Sequence, residues 1–400
     1  MRNKKILLAL LTAGLMSGVA QAQTTIKIGV LNDQSGIGSS LGGAGSILAA
    51  KMAIEDFTAK HKNVKVELVT ADHQNKADIG SSLAREWYDQ KGVDAIFDVQ
   101  TSSVALAVSD ITKAKNKVMV NSGAGSADLT GSKCTPNNVH WTYDTWALAN
   151  ATGSALVKRG GNSWYFITAD YAFGHALEKD TTAVVTKAGG KVLGSVRHPF
   201  AAPDFSSFLL QAQASKAKVI GLATSAGDLV NLIKQASEFK VRESGQTLAG
   251  LLIFISDVDG LGLKAAQGLL LSESFYWDLN EGTRTWSQRF AERHKNKMPT
   301  MVHAGVYAGV THYLKAATAL GSSSDGAKVV AKMKEMPTDD PLFGKGEIRI
   351  DGRKIHPMYL FEVKRPEESK GPFDYYKMIA TIPADEAFRP LAEGGCSLVK

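Results

Sequence analysis

Short apolar runs alternating with amphipathic stretches, in two successive blocks, restrict what this chain can fold into more than any other feature. Ile26 to Leu31 is an apolar run bounded by polar residues, as a strand buried on both faces of a parallel sheet must be. After the loop Asn32 to Leu41, with Asp33, Ser35, Gly36 and Gly38, the residues Ile47, Ala50, Ile54 and Phe57 recur at helical spacing. Val64 to Thr70, Ala95 to Val99 and Val118 to Asn121 read as further strands, with helices over Asp78 to Gln90 and Ser103 to Asn116 between them. The pattern pauses over Gly131 to Trp146 and then restarts. Asp144 to Arg159, Phe173 to Ala188 and Asp228 to Phe239 are predicted helices; Trp164 to Thr168, Lys191 to Arg197, Val219 to Ala223 and Leu251 to Ile255 are predicted strands. Such a succession gives parallel sheets covered on both faces, here two α/β lobes of the doubly wound kind. Val302 to Leu320 and Gly326 to Met336 are later helices. Glu347 to Ile350, Met358 to Val363 and Tyr375 to Ile382 look like strands that need a sheet edge to join, so the chain must recross between the lobes before it ends.

The first 22 residues bear on where the protein works. Arg2, Lys4 and Lys5 precede the apolar run Ile6 to Val19, and Ala20-Gln21-Ala22 offers small residues at a cleavage position, the pattern of a secretory signal peptide. No later stretch reaches the roughly 18 apolar residues that cross a bilayer. No cysteine follows the apolar run to carry a lipid, so the expected mature chain starts near Gln23 and works in a periplasm. Losing Arg2, Lys4 and Lys5 takes the formal charge from +7 to +4, and the basic residues are interspersed with acids, which argues against a nucleic-acid partner. In an oxidising compartment the two cysteines, Cys134 and Cys396, are expected to bridge; two unpaired thiols are the alternative.

Catalytic motifs are missing where an enzyme would show them. The chain has no G-x-S-x-G elbow, no H-E-x-x-H and no P-loop, and Gly43-Ala44-Gly45 lacks the third glycine of a dinucleotide fingerprint. Nine histidines are scattered without an i, i+4 pair, so neither a metal site nor a cofactor is expected. His175 lies in a loop of interest, but a lone histidine is more commonly a hydrogen-bonded structural residue.

Binding chemistry is better represented. Ligands of open α/β sheets sit beyond the carboxyl ends of the strands. At those ends stand Gln100-Thr101-Ser102-Ser103 and Asn121-Ser122-Gly123-Ala124-Gly125-Ser126-Ala127, each before a helix. Backbone N–H groups at a helix start together with hydroxyls suit a carboxylate, although plain helix capping uses the same residue types. Asp170-Tyr171-Ala172-Phe173-Gly174 takes the corresponding place in the second block. Phe275-Tyr276-Trp277-Asp278, Trp141, Tyr143 and Trp146 stand near the predicted crossings, to wall a cleft or to fill the core beneath it. Asp257 could meet an ammonium or cap the helix after it.

In their order and spacing these segments resemble the periplasmic solute-binding proteins of the leucine/isoleucine/valine type, the type I periplasmic binding proteins that serve ABC importers. The resemblance rests on Ile28-Gly29-Val30-Leu31 with Ser35-Gly36, the Ser102-Ser103 loop, Gly123 to Thr130, Asp170 to Gly174, and Phe275 to Asn280, and it covers essentially all the chain after the leader. It implies two lobes joined by a three-strand hinge and closing over one small ligand, with no catalysis, an inner-membrane permease as partner, and a monomer. The implied N-terminal lobe is 23–143 plus about 277–357, and the C-terminal lobe 144–276 plus about 358–400. Carried over residue by residue, the ligand's polar groups meet Ser102, Gly123, Gly125 and Tyr171, with Asp257 near the family's acidic position. Ser103, Ser126, Tyr276 and Trp277 complete the candidate set. Three departures stand out: Leu41 where an aromatic wall is usual, an acid at Asp257 shorter than the usual Glu, and cysteines at other places. The expected ligand is a small carboxylate solute, an aromatic or aliphatic acid or an amino acid. The alternative is a soluble sensor of the same fold that serves a regulatory or chemoreceptor partner.

Overall fold

The computed structural model of the chain describes residues 24–400, and the expected leader lies outside the described residues. Strands β1 (Thr24–Asn32), β2 (Val64–Asp72), β3 (Ala95–Phe97), β4 (Val118–Asn121) and β5 (Asn138–His140) form a parallel sheet of order β2-β1-β3-β4-β5. Alternate residues feed two separate cores. Ile26, Ile28, Val30, Phe97 and Val120 pack with the helices Gly43–Lys60 and Met301–Leu320, whereas Leu31, Ile96 and Met119 pack with Ala77–Asp89 and Ser102–Ala114. Burial on both faces is what makes β3 and β4 read as apolar runs, whereas the edge strand β2 is only partly buried and mixes polar residues in.

β6 (Ser163–Ala169), β7 (Lys191–His198), β8 (Val219–Ala223) and β9 (Thr247–Gly250) form a second parallel sheet, order β7-β6-β8-β9. β10 (Leu270–Glu273) ends this second block. Then β11 (Thr338–Asp340), β12 (Gly344–Ile348) and β13 (Lys354–Ile355) make a small antiparallel meander, and β14 (Met358–Val363) pairs antiparallel with both β10 and β15 (Tyr376–Ile382).

Besides helices at Ser206–Ala214 and Glu281–Arg293 that the pattern did not announce, three departures from the sequence-based expectations stand out. The final strand of the second sheet is Thr247–Gly250, not Leu251 to Ile255. The apolar run after it is fully buried, but its backbone turns into the helix Ile255–Leu261, so burial there reflects core filling and not sheet pairing. The helix expected over Asp144 to Arg159 contains a π turn at Ala149–Gly153 between the helical segments Thr145–Leu148 and Ser154–Lys158. Asn138–His140 adds a fifth strand where no pattern announced one: its single apolar residue, Val139, carries too weak a periodicity.

The chain passes between the two sheets after β5, after β10, and between β13 and β14. Arg353, wholly buried, ties the third passage to the first. Its guanidinium donates to the carbonyls of Thr142 (2.7 Å) and Tyr143 (3.2 Å), lies 3.6 Å from Asp144, and sits 4.5 Å from the centre of the Phe388 ring. A disulfide joins Cys134 to Cys396. Just before it, Arg389 pairs with Asp180 on the helix Ala172–Lys187, so the C-terminal segment touches both blocks.

Candidate functional site

Each parallel sheet reverses its strand order once, between β1 and β3 in the first and between β6 and β8 in the second. Loops leaving adjacent strands diverge there and open a crevice. In the first crevice Asn32 ends β1 and Asp98 and Gln100 follow β3; in the second, Tyr171 follows β6 and Ser225 follows β8. The two meet. Ile37, on the loop after β1, lies 3.2 Å from where a Cβ on Gly227 would stand, at the start of the helix Ala226–Glu238. Phe173 approaches within 2.7 Å of the equivalent point on Gly125. Larger side chains at either glycine would hold the lobes apart.

Tyr143 stands at the centre. Its hydroxyl donates to the Gly123 carbonyl, its ring lies edge-on to Phe254 with centroids 5.9 Å apart, and it flanks Gly125. Tyr171, extended at the start of its helix, packs edge-on against Phe200 with centroids 5.2 Å apart, and burial holds its phenol well above the ordinary tyrosine pKa. Thus Gly123 and Gly125 border Tyr143, and Tyr171 comes to them through Phe173, its neighbour at 6.1 Å between ring centroids, which closes on Gly125.

The other candidates fare differently. The Ser102 hydroxyl, buried, accepts from the Ser126 N–H (3.2 Å) and so joins the two first-lobe loops, while its own proton remains free to donate. Ser126 is a capping residue: its hydroxyl accepts from Asp128 N–H at the start of the short turn Ala127–Thr130. Ser103 is half-buried in the first turn of Ser102–Ala114. Tyr276 and Trp277 do not wall the cleft, and their expected ligand role is corrected. Tyr276 Oη and Trp277 Nε1 both donate to the Phe373 carbonyl (2.9 and 2.7 Å), and Tyr276 stacks among Phe361 and Tyr376 in the second lobe's core. Leu41 also faces the core, with its carbonyl bonded by Thr300, and Ile37 four residues earlier is the apolar residue at the cleft mouth. His175 is exposed and bonded to Asp170 and Arg197, as a structural histidine would be. Sequence patterns marked Gln100 only as part of the loop that holds Ser102, and did not mark Asp98 or Ile37; the positional argument applied to Ser102, residues just past a strand end, would have reached Asp98.

Asp257 turns out to be a cap. It is the third residue of Ile255–Leu261, and its carboxylate accepts from the Phe254 N–H at 2.9 Å. Burial pushes its pKa up to about 7, and burial likewise raises Glu273, which accepts from Tyr376 Oη at 3.0 Å. Among the described residues neither acid has a basic partner in an ion pair. A carboxyl raised in the folded state stabilises below its unfolded pKa near 4 and loses that contribution as pH climbs through 7. Asp257→Asn removes the titration and keeps an acceptor for Phe254. The variant's stability relative to the unmodified protein is therefore expected to rise between pH 4 and 7.5 by about 2–4 kcal/mol. Urea melts at several pH values check it, and a constant difference would refute the shift.

Two doubly wound lobes meeting across their switch points over a shared hinge are the architecture of a protein that captures a ligand between them. The comparisons agree. A family model for periplasmic binding proteins matches residues 25–372, and the chain belongs to that family, whose members bind solutes without transforming them. The crystal structure of a periplasmic binding protein from Burkholderia mallei is 52% identical, with a TM-score of 0.92 over 95% of this chain and 100% of that one. A branched chain amino acid ABC transporter periplasmic ligand-binding protein from Burkholderia xenovorans is 38% identical, TM-score 0.83, over 94% and 100%. Leu/Ile/Val-binding protein homolog 6 of Brucella melitensis is 26% identical over 91% of this chain and 94% of its own length.

Proposed function

We propose that this chain is the extracytoplasmic solute-binding component of an ABC importer, capturing a small carboxylate solute by hinge closure and delivering it to an inner-membrane permease. The observation that carries this reading is the meeting of the two switch points: first-lobe Gly125 and Ile37 abut second-lobe Phe173 and Gly227, on lobes that the hinge passages connect. A solute held between Ser102 and the Gly123–Gly125 loop on one side and Tyr171 on the other favours the closed arrangement by its contacts to both. The compartment follows the family and the expected leader at residues 1–22.

The test is a thermal-shift screen and calorimetry on refolded, ligand-stripped protein against amino acids, aromatic acids and short aliphatic acids. A solute at 100 times its Kd raises stability by about 2.7 kcal/mol. Ser102→Ala and Tyr171→Ala are each expected to weaken the best hit about 10- to 100-fold, the cost of a lost hydrogen bond to a charged group. Unchanged affinity in both variants means the solute sits elsewhere. Gly227→Phe addresses closure: with a ring placed against Ile37 it is expected to enlarge the radius of gyration in solution scattering with ligand present and to weaken binding at least about 10-fold. Equal scattering and affinity would show that the lobes do not need to meet there.

A further inference from the structure

The first-lobe switch point contains a carboxylate that the binding reading so far leaves unused. Asp98, immediately after β3, is wholly buried and held at φ +56°, a left-handed conformation that a residue other than glycine adopts at a cost. Asn32, at the end of β1, donates to Asp98 Oδ2 (3.2 Å) and to the Gly43 carbonyl (2.9 Å). The Ser46 hydroxyl supports the same carboxylate from the Gly42 side, where it lies beside Oδ2. Asp98 Oδ1 has no partner among the described residues, and neither have Asn32 Oδ1 and Gln100 Oε1. The oxygens of Asp98 and Gln100 lie close together, and the Asn32 amide adjoins them. Asp98 Oδ1 is 2.8 Å from the point where a Cβ on Gly123 would stand; Gln100 Oε1 and Asp98 Oδ2 are 2.4 and 2.8 Å from the equivalent point on Gly42. Burial pushes the Asp98 pKa up to about 6, and no lysine, arginine or histidine among the described residues offsets its charge.

Buried acceptors without donors are rare, and a buried carboxylate without a counter-charge is costly. Strain and desolvation together, at the position where open α/β sheets place ligands, are what a preorganised recognition group looks like. We propose that Asp98, flanked by Asn32 and Gln100, is a nitrogen subsite that accepts from an N–H-bearing cationic group of the solute, so that the protein selects solutes carrying an ammonium next to their carboxylate over the same acids without it. The inference rests on the binding reading above and adds to it a specificity-determining residue on the first lobe. Gln100, half-buried and bonded to the Gly38 carbonyl (2.7 Å), is the side chain that must shift to admit the group.

Matched pairs test this by calorimetry on stripped protein: L-leucine against 4-methylpentanoate, and L-phenylalanine against 3-phenylpropanoate. The unmodified protein is expected to prefer the amine-bearing member of at least one pair by 100-fold or more. Asp98→Asn, and Asp98→Gly (which also relieves the left-handed backbone), are expected to shrink that ratio below 10-fold. Their melting temperatures should be no lower than that of the unmodified protein. A structural role alone would lower both affinities together and leave the ratio unchanged, which overturns the proposal. Tight binding of the des-amino acids, weakened by Ser102→Ala, overturns the nitrogen subsite and leaves the binding reading standing. No binding of any of the four probes, with a hit among other acids in the wider screen that lack an amine, also overturns the nitrogen subsite and leaves the binding reading standing.

Discussion

Arg353→Ala is expected to lower the unfolding free energy by about 3–5 kcal/mol, the range for breaking a buried ion pair by removing one partner. The guanidinium is wholly buried, and its fork satisfies two carbonyls of the first hinge passage together with the carbonyl of Lys354. Its loss leaves those acceptors dry and Asp144, 3.6 Å away, without its counter-charge. Phe388 loses the cation over its ring as well. Arg353→Lys is expected to recover little, because a single ammonium cannot reproduce a planar fork that reaches separate carbonyls. Urea or guanidinium melts give the measurement, and a loss below about 1 kcal/mol would place the tie between the passages elsewhere. Because those carbonyls belong to residues 142 and 143, the variant is also expected to loosen Tyr143, whose hydroxyl holds the Gly123 loop, and to weaken solute binding.

The second large effect belongs to the disulfide. Cys134 and Cys396 are 262 residues apart in sequence. Chain entropy alone assigns a loop of that length about 5.5 kcal/mol, and measured values usually fall short of the model, so about 3–5 kcal/mol is expected for Cys134→Ser with Cys396→Ser. The consequence is not confined to the loop. Between the bond and β15, Arg389 pairs with Asp180, and Arg349 donates to the Arg389 carbonyl while pairing with Asp351. Releasing the end of the chain frees this ion network beside the hinge. Thermal melts with and without reductant should differ by several degrees for the unmodified protein and not at all for the double variant. A melting temperature insensitive to reductant, with the thiols shown to be free, would mean that the network alone holds the tail.

Ser102 and Tyr171 were reachable from sequence because their placement follows from a local fact: each closely follows the end of a buried strand, and such ends carry the binding loops of this class of sheet. Tyr276 and Trp277 were misplaced for the opposite reason. Two aromatics near a crossing can face a cleft or a core, and the choice is made by Phe373, almost a hundred residues later, whose carbonyl takes both of their donors. For Asp257 the sequence left an ammonium partner and a helix cap open, and the structure makes it a cap, with the last strand of the second sheet four residues earlier than the apolar run suggests.

Most of the strands were determined by sequence. Two buried faces demand an almost unbroken apolar run, which Ile28 to Leu31 and Val118 to Val120 supply, whereas Asn138–His140, with one apolar residue, and Thr247–Gly250, beside a longer buried run, were not legible in this way. The family resemblance, which several short segments carry together, was legible on the same footing. Tertiary structure alone decided the composition of the cleft. The unpartnered oxygens there are Asp98 Oδ1, Asn32 Oδ1 and Gln100 Oε1, from the segments that end β1 and follow β3, which only the strand order brings together. Hydrophobic burial is repetitive and local along a strand, and so it is written in the chain's periodicity. Polar complementarity at a switch point is a sum of single, non-periodic contacts between distant loops, and only folding makes them neighbours.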